Sequence, residues 1–457
     1  MDRSSAPPLF LRQRGGKITA PPDREDQGVG WWGSAVTQIP RLLTEPDPAA
    51  MRKRMVFLVA VLVIMMSSLL VEWYMERDVI TGNQGPFPAA LGTEAPAAPS
   101  HVSRQSYRPE ALVHGLSIVP TDSGVRALNL RTGKEYWRYE RRDEGADMPS
   151  DEVSATTVVA WFDDGKLVGI DLRTGNVRWR TEFPRGGFQH IHMGAGQVVA
   201  RTPGGVAAFS ERSGKKLWTL RLPRSCKYPW AVHDLPNHLT VVDLGCESSD
   251  GQNRVAIGVD NRTGAELWKR TDRQELDKTD NHTLVTVSPI TTSERRERAR
   301  VQVLDVDRKG ARLRAEFSSD SWAPDDAGDG IIISGGNPES PGSPGASVLT
   351  GYDTQVGKRA WERRALAGHS FGFAKFADGR VYVVQNSTIS EGDESRVLHA
   401  DLLVLDAHSG DLLHRLRLPD MTVPRGFIGT GLTVRDASDG VIRLGWPEAL
   451  HDELFVT

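Results

Sequence analysis

Residues 169–179 read GIDLRTGNVRW, and it is the recurrence of this stretch along the chain that decides the fold. The preceding residues Lys166 to Leu172 alternate as a half-buried strand should. Asp171 is suited to bonding its own backbone two residues on, with the Thr174 hydroxyl assisting. Gly175 supplies the positive φ that lets the chain reverse. The next strand then delivers Trp179 four residues later. Related copies are ALNLRTGKEYW ending at Trp137, AFSERSGKKLW at Trp218, GVDNRTGAELW at Trp268 and GYDTQVGKRAW at Trp361. Two degraded copies follow the same plan. Val303 to Leu313 lacks the Trp and carries an extra residue before its glycine, and Val404 to His414 ends in His instead of Trp. One match is weak evidence, but five copies in register are strong.

The turn glycines Gly133, Gly175, Gly214, Gly264, Gly310, Gly357 and Gly410 recur every forty to fifty residues or so, the period of one four-stranded propeller blade. Upstream of each turn there is room for two further strands, as in residues 188–193 with 197–202, and 371–376 with 380–386. The fold class expected is therefore all-β, a β-propeller over 101–457. Seven anchors plus a partial repeat at Gly426 to Leu444 favour eight blades, with seven as the alternative. Trp137, Trp179, Trp218, Trp268 and Trp361 are expected to wedge between blades, each burying on the order of 200 Å². The stretches 337–346 and 388–395 are polar and turn-rich and are expected as surface loops.

The rest of the chain has a different texture. Met55 to Val71 carries no charge, and with Glu72, Trp73, Tyr74 and Met75 it reaches about 20 residues, the length that spans a bilayer. Arg52, Lys53 and Arg54 precede it, so the basic-flank rule puts the N-terminus in the cytoplasm and the C-terminal bulk outside. The run is long, lies more than fifty residues in and has no prompt A-x-A site, so it reads as an uncleaved signal-anchor. No cysteine follows it to carry a lipid. Residues 1–54 read as a disordered cytoplasmic tail, in which Trp31 and Trp32 begin either an interfacial helix or a linker. Residues 55–75 read as the transmembrane helix and 76–100 as a flexible stalk.

Ala127 to Trp137, Gly169 to Trp179 and Gly258 to Trp268 resemble the A-x-D-x-x-T-G-x-x-x-W repeat of the pyrroloquinoline-quinone-like propellers. They depart from it at Asn129 and at the first position of the latter two copies. The resemblance covers about three quarters of the chain and implies fold more than function. The family includes quinoprotein dehydrogenases, a propeller lipoprotein of the outer-membrane assembly machinery, and extracellular sensor domains. In such propellers the N-terminal segment often supplies a missing strand that closes the ring.

For a dehydrogenase the resemblance implies a disulfide between adjacent cysteines and a calcium site. The cysteines here are Cys226 and Cys246, twenty residues apart, and no calcium-site motif is found. The turn carboxylates Asp171, Asp260, Asp353 and Asp406 recur once per blade, as turn formers would. No enzyme, catalytic residue, cofactor or metal site is therefore expected. His190 and His192 share a strand face, but no third ligand lies nearby in sequence. The basic run at Arg295, Arg296, Arg298 and Arg300 is interleaved with acids. With 56 basic and 59 acidic residues and a net charge of −3, the 457-residue chain lacks a nucleic-acid footprint. Cys226 and Cys246 are either a structural disulfide worth about 3 kcal/mol or two buried thiols.

The expected function is a non-enzymatic binding or scaffold protein at the bacterial cell envelope, partnered by the cytoplasmic membrane and another envelope protein. A sensor relaying to a cytoplasmic partner and a quinone-dependent oxidoreductase are the alternatives. Tyr228, Trp230 and Trp322 are the binding candidates, since Trp, Tyr and Arg dominate hot spots.

Overall fold

A computed structural model describes residues 55–67 and, with interruptions at several connections, 78–457. The chain divides into two units, Met1–Met75 and Glu76–Thr457. In the first, the described part is a helix over residues 55–67. Its apolar side chains are exposed, Met55 by 68% and Leu62 by 63%. Thirteen residues rise about 20 Å, and no helix among the described residues is long and apolar enough to cross a membrane. The remainder of the expected span and the tail 1–54 lie outside the described residues.

The second unit holds eight antiparallel sheets among the described residues, one per blade. Eight blades, not seven, therefore form the propeller. Blade 2 shows the plan: Ala146–Asp147, Thr157–Phe162, Lys166–Asp171 and Val177–Glu182 lie side by side in chain order. Blade 3 repeats it with Ile191–Gly194, Gln197–Thr202, Gly205–Ser210 and Lys216–Arg221. Blade 8 joins Thr433–Ser438, Val441–Gly445 and Glu453–Val456 to Val102–Gln105 from the other end of the chain. The gap where the other blades have a turn is bridged by hydrogen bonds from the Ser100 and His101 amides to the Thr457 carbonyl, at 2.9 and 3.0 Å.

The core sits between blades, not within them. Alternating side chains face both neighbours, and eight apolar clusters result, one for each joint including that from blade 8 back to blade 1. The joint from blade 1 to blade 2 is typical, with Tyr139, Val158, Phe162 and Ile170 all fully buried. The closing joint is sparser, with only Leu112, Leu130, Val441 and Phe455 buried.

Two expectations need correction. Residues 76–100 are not a free stalk. Asp78–Thr81 pairs antiparallel with Glu135–Arg141 as a fifth strand on blade 1, Asp78 opposite Arg141 and Thr81 opposite Arg138. The chain then continues along the propeller to Val102. Nor are residues 388–395 simply a loop. Blade 7 runs Arg380–Glu391 against Ser395–Asp406, so the polar segment lengthens a hairpin. Residues 337–346 lie outside the described residues.

Candidate interaction face

An antiparallel meander places the connections between strands 1 and 2 and between strands 3 and 4 at one end of a blade. Those between strands 2 and 3, and onward to the next blade, fall at the other. The two faces of the propeller are therefore built differently.

The first face carries the repeat turns. The Asp171 carboxylate accepts from the amides of Arg173 and Thr174, at 3.0 and 2.9 Å, and from the Thr174 hydroxyl at 3.0 Å. Asp260, Asp353 and Asp406 hold their own turns the same way. In blade 5 the extra residue moves this role from Asp305 to Asp307. Partial burial disfavours the Asp171 charge, but the Arg178 guanidinium at 2.6 Å and the Thr174 hydroxyl outweigh it and hold its carboxyl below the ordinary range, while at Asp406 the Ser409 amide does so first.

The five tryptophans share one geometry. Each indole N–H donates to a backbone carbonyl in the next blade's turn, three residues before its glycine. The acceptors are Leu172 for Trp137 at 2.7 Å, Glu211 for Trp179 at 2.6 Å and Asn261 for Trp218 at 2.8 Å, then Asp307 for Trp268 at 2.9 Å and Ala407 for Trp361 at 2.7 Å. In four of the five the turn glycine lies against the ring (Gly175, Gly214, Gly264 and Gly410), whereas Gly310, in the turn that seats Trp268, has open space where a Cβ would be. At Gly214, with φ +64°, a Cβ would come within 2.5 Å of the Trp179 ring. Asp and Gly therefore shape the turn, and the turn seats the previous blade's indole. Three joints lack an indole at the repeat position, although Trp446 is buried elsewhere in the joint between blades 7 and 8. From blade 5 to blade 6, Ala315 pairs with Val303 where other blades pair Trp, and Phe317 stacks on Tyr352 at 4.6 Å. From blade 7 to blade 8, His414 takes the position and bonds the Pro99 carbonyl at 2.9 Å.

The opposite face is uneven. In blade 3, strands 2 and 3 pair over six positions, ending at Thr202 opposite Gly205. In blade 4 they pair over ten, ending at Ser248 opposite Gly251, and in blade 7 over twelve, ending at Glu391 opposite Ser395. All three ladders begin opposite the turn-forming residue, so the surplus projects from this face alone. Six extra residues extend blade 7 by about 20 Å. Met421–Pro424 widens that projection by pairing with Ser395–Leu398. Blade 5 also projects, with Ile290 opposite Arg298.

The projections and the blade ends beneath them are internally braced. A disulfide joins Cys226 and Cys246, direct partners across strands 1 and 2 of blade 4. On blade 5 the Gln302 amide donates to Glu316 at 2.7 Å, and Arg300 lies 3.5 Å from the same carboxylate. On blade 7, Arg415 and Arg417 hold the buried Asp401 at 2.6 and 3.8 Å. Asp420 lies 2.7 Å from His399 and 2.8 Å from Arg417, and these partners keep its carboxyl below the usual range. At the same end of blades 1 and 2, Arg141 lies between Asp164 at 2.8 Å and Asp78 at 3.7 Å, and Arg180 also pairs with Asp78. Burial disfavours the Asp164 charge, but Arg141 and Lys166 outweigh it and hold its carboxyl at about 2.

Tyr228 and Trp230 lie on Cys226–Leu235, the first strand of blade 4, and Trp322 lies outside the described residues. His192 sits 3.9 Å from Asp234, while His190 is outside the described residues. Among the described residues no three His, Cys, Asp or Glu side chains converge as a metal site requires. Cys226 and Cys246 bridge two strands, and the recurrent carboxylates of Asp171, Asp260, Asp353 and Asp406 bond their own turns, so neither forms the adjacent-cysteine disulfide or the calcium set that the dehydrogenase resemblance implies. The disulfide was one of two readings offered by the cysteines, whereas Arg300 with Glu316, Arg415 with Asp401 and Arg141 with Asp78 and Asp164 carry no sequence signal, because these partners are separated by a strand length or more.

A family model described as outer membrane protein assembly factor BamB matches residues 106–190, blades 1 and 2 with their connection onward. The outer membrane protein assembly factor BamB of Burkholderia pseudomallei is 29% identical over 38% of this chain and 48% of its own length. That of Shewanella oneidensis is 23% identical over 34% of this chain and 40% of its own. The alignments thus span about half or less of these relatives. Among solved structures, BamB from Moraxella catarrhalis is 17% identical with a TM-score of 0.43, covering 79% of this chain and 99% of that one. The chain is a propeller of the pyrroloquinoline-quinone-like repeat type.

Proposed function

We propose that the protein is a non-enzymatic scaffold that binds another envelope protein through the face bearing the lengthened blades 4, 5 and 7. The observation carrying this reading is the asymmetry of the two faces. The repeat-turn face spends its carboxylates and carbonyls on closing turns and seating indoles. The opposite face carries braced projections with paired charges, which order side chains without using them for the core. Rigid, pre-ordered surfaces lose less entropy on binding than loops do. The names of the two relatives, outer membrane protein assembly factors, support a protein partner in the envelope. The uncharged run Met55 to Val71 after Arg52, Lys53 and Arg54 supports an uncleaved single-pass anchor with the propeller outside the cytoplasmic membrane.

Photo-crosslinking residues placed at Arg300, Ser318 or Pro419, and at Arg212, Arg262 or Gln355 on the repeat-turn face, test the reading in native membranes. Adducts from the first set alone are expected. Adducts from the second set alone would overturn it. Two further outcomes separate the alternatives. Retention of pyrroloquinoline quinone with calcium after desalting would favour an oxidoreductase, and loss of function on deleting residues 1–50 would favour a sensor.

A further inference from the structure

The stretch between the fifth strand of blade 1 and the closing strand Val102–Gln105 follows a definite path across three joints. Phe87 packs in the joint from blade 1 to blade 2, edge-on to Tyr136 at 6.0 Å and beneath the Arg173 guanidinium at 4.6 Å. Leu91 packs on Leu112, Leu130, Val441 and Phe455 in the closing joint between blades 8 and 1. The Glu94 carbonyl accepts from the Gly440 amide at 3.0 Å, in the inner hairpin of blade 8. Ala95 is buried in the joint between blades 7 and 8, and its amide donates to Asp378 of blade 7 at 2.7 Å. Pro99 then receives His414.

Five of the eight joints have an indole wedge, and the joint between blades 5 and 6 has the Phe317–Tyr352 stack. The two joints flanking blade 8 have no indole seated on a repeat turn: the one between blades 7 and 8 buries Trp446 from after the second strand of blade 8 instead, and the one between blades 8 and 1 is the sparsest in the ring. Those are the joints into which this segment inserts Leu91 and Ala95. Blade 8 is also the blade assembled from both chain ends, through only four residue pairs between Val102–Gln105 and Glu453–Val456.

We infer that residues 82–100 are a belt that takes the place of the missing wedges and holds the ring shut at blade 8. Ring closure then depends on the belt as well as on the closing strand. It is fastened at its far end by Asp78–Thr81 and the Asp78–Arg141 pair, so the segment between the apolar helix and the propeller is part of the closure. The belt also lies against the inner hairpins of blades 7, 8 and 1 on the repeat-turn face. This inference is independent of what the opposite face binds.

Hydrogen–deuterium exchange on the full chain in detergent tests it. Two variants are compared with the wild type: Leu91→Asp, and a replacement of residues 87–95 by Gly and Ser at equal length. In both, amides of Val102–Gln105 and Glu453–Val456 are expected to exchange about tenfold faster or more, while those of Gln197–Thr202 and Gly205–Ser210 in blade 3 stay unchanged. Unchanged protection of the closing strands would show that the belt merely rests on the surface and would overturn the inference. A rise of equal size in blade 3 would also overturn it, since the belt would then act on the whole fold. If the replacement fails to fold, Leu91→Asp decides alone; should that fail too, Leu91→Ala, with a smaller but still local rise expected, decides.

Discussion

Replacing Gly214 by Ala tests the coupling between turn and wedge that repeats around the ring. Gly214 sits at φ +64°, a left-handed conformation that costs an L-residue about 1–2 kcal/mol. Its added methyl would also lie 2.5 Å from the Trp179 ring, an overpacking that costs about 1–3 kcal/mol more. Trp179→Ala removes a ring that is 6% exposed and donates to Glu211 at 2.6 Å, a loss of about 3–5 kcal/mol. In the double variant the clash has no ring to meet, so only the backbone cost of the methyl persists. The two changes should therefore fall short of additivity by about 1–3 kcal/mol. Equilibrium urea unfolding of the four proteins, followed by circular dichroism, measures this directly. Additivity within about 0.5 kcal/mol would refute the idea that the turn glycine at Gly214, as at Gly175, Gly264 and Gly410, is selected by the previous blade's indole.

Two further outcomes follow from the projecting blades and the blade 1 lock. Substituting both Cys226 and Cys246 by Ser should lower stability by about 3 kcal/mol, and the native protein should show no reactive thiol until reduced; two thiols titrating without reductant would contradict the bond. Asp164→Asn should lower the thermal midpoint at neutral pH. The folded carboxyl titrates at about 2, below its ordinary 3.8, so the ionised form favours folding. That contribution is complete above about pH 4 and is lost as pH falls through about 2, where wild type and variant should converge. An equal gap at both pH values would assign the effect to packing instead of charge.

Much of the fold was legible because its determinants recur. The interval from turn glycine to Trp is fixed by the outer strand, so Trp137 to Trp361 announce both the blade and its neighbour. The eighth blade was harder, since its turn is replaced by the junction of Thr457 with Ser100 and His101. The belt was hidden by its composition. A segment rich in Pro, Ala and Gly reads as flexible, and its two or three apolar anchors, Phe87, Leu91 and Ala95, have no periodicity. The length of blade 7 was hidden for a related reason. Strands that project into solvent on both faces do not need apolar alternation, so residues 388–395 look like a loop. Pairs such as Arg141 with Asp78 and Asp164 depend on tertiary juxtaposition and carry no sequence signature.

The projecting face is tested most directly by shortening it. Joining Asn386 to Ala400, two residues paired across the blade 7 hairpin, through an Asn-Gly turn removes the projection and leaves the ladder below it intact. Capture of the crosslinked partner from native membranes should fall by at least about tenfold, equivalent to about 1.4 kcal/mol of binding, with the circular dichroism spectrum unchanged. Undiminished capture by a folded shortened protein, together with loss of capture when Arg212, Arg262 and Gln355 are changed to Glu, would place the partner on the repeat-turn face and contradict the scaffold as drawn.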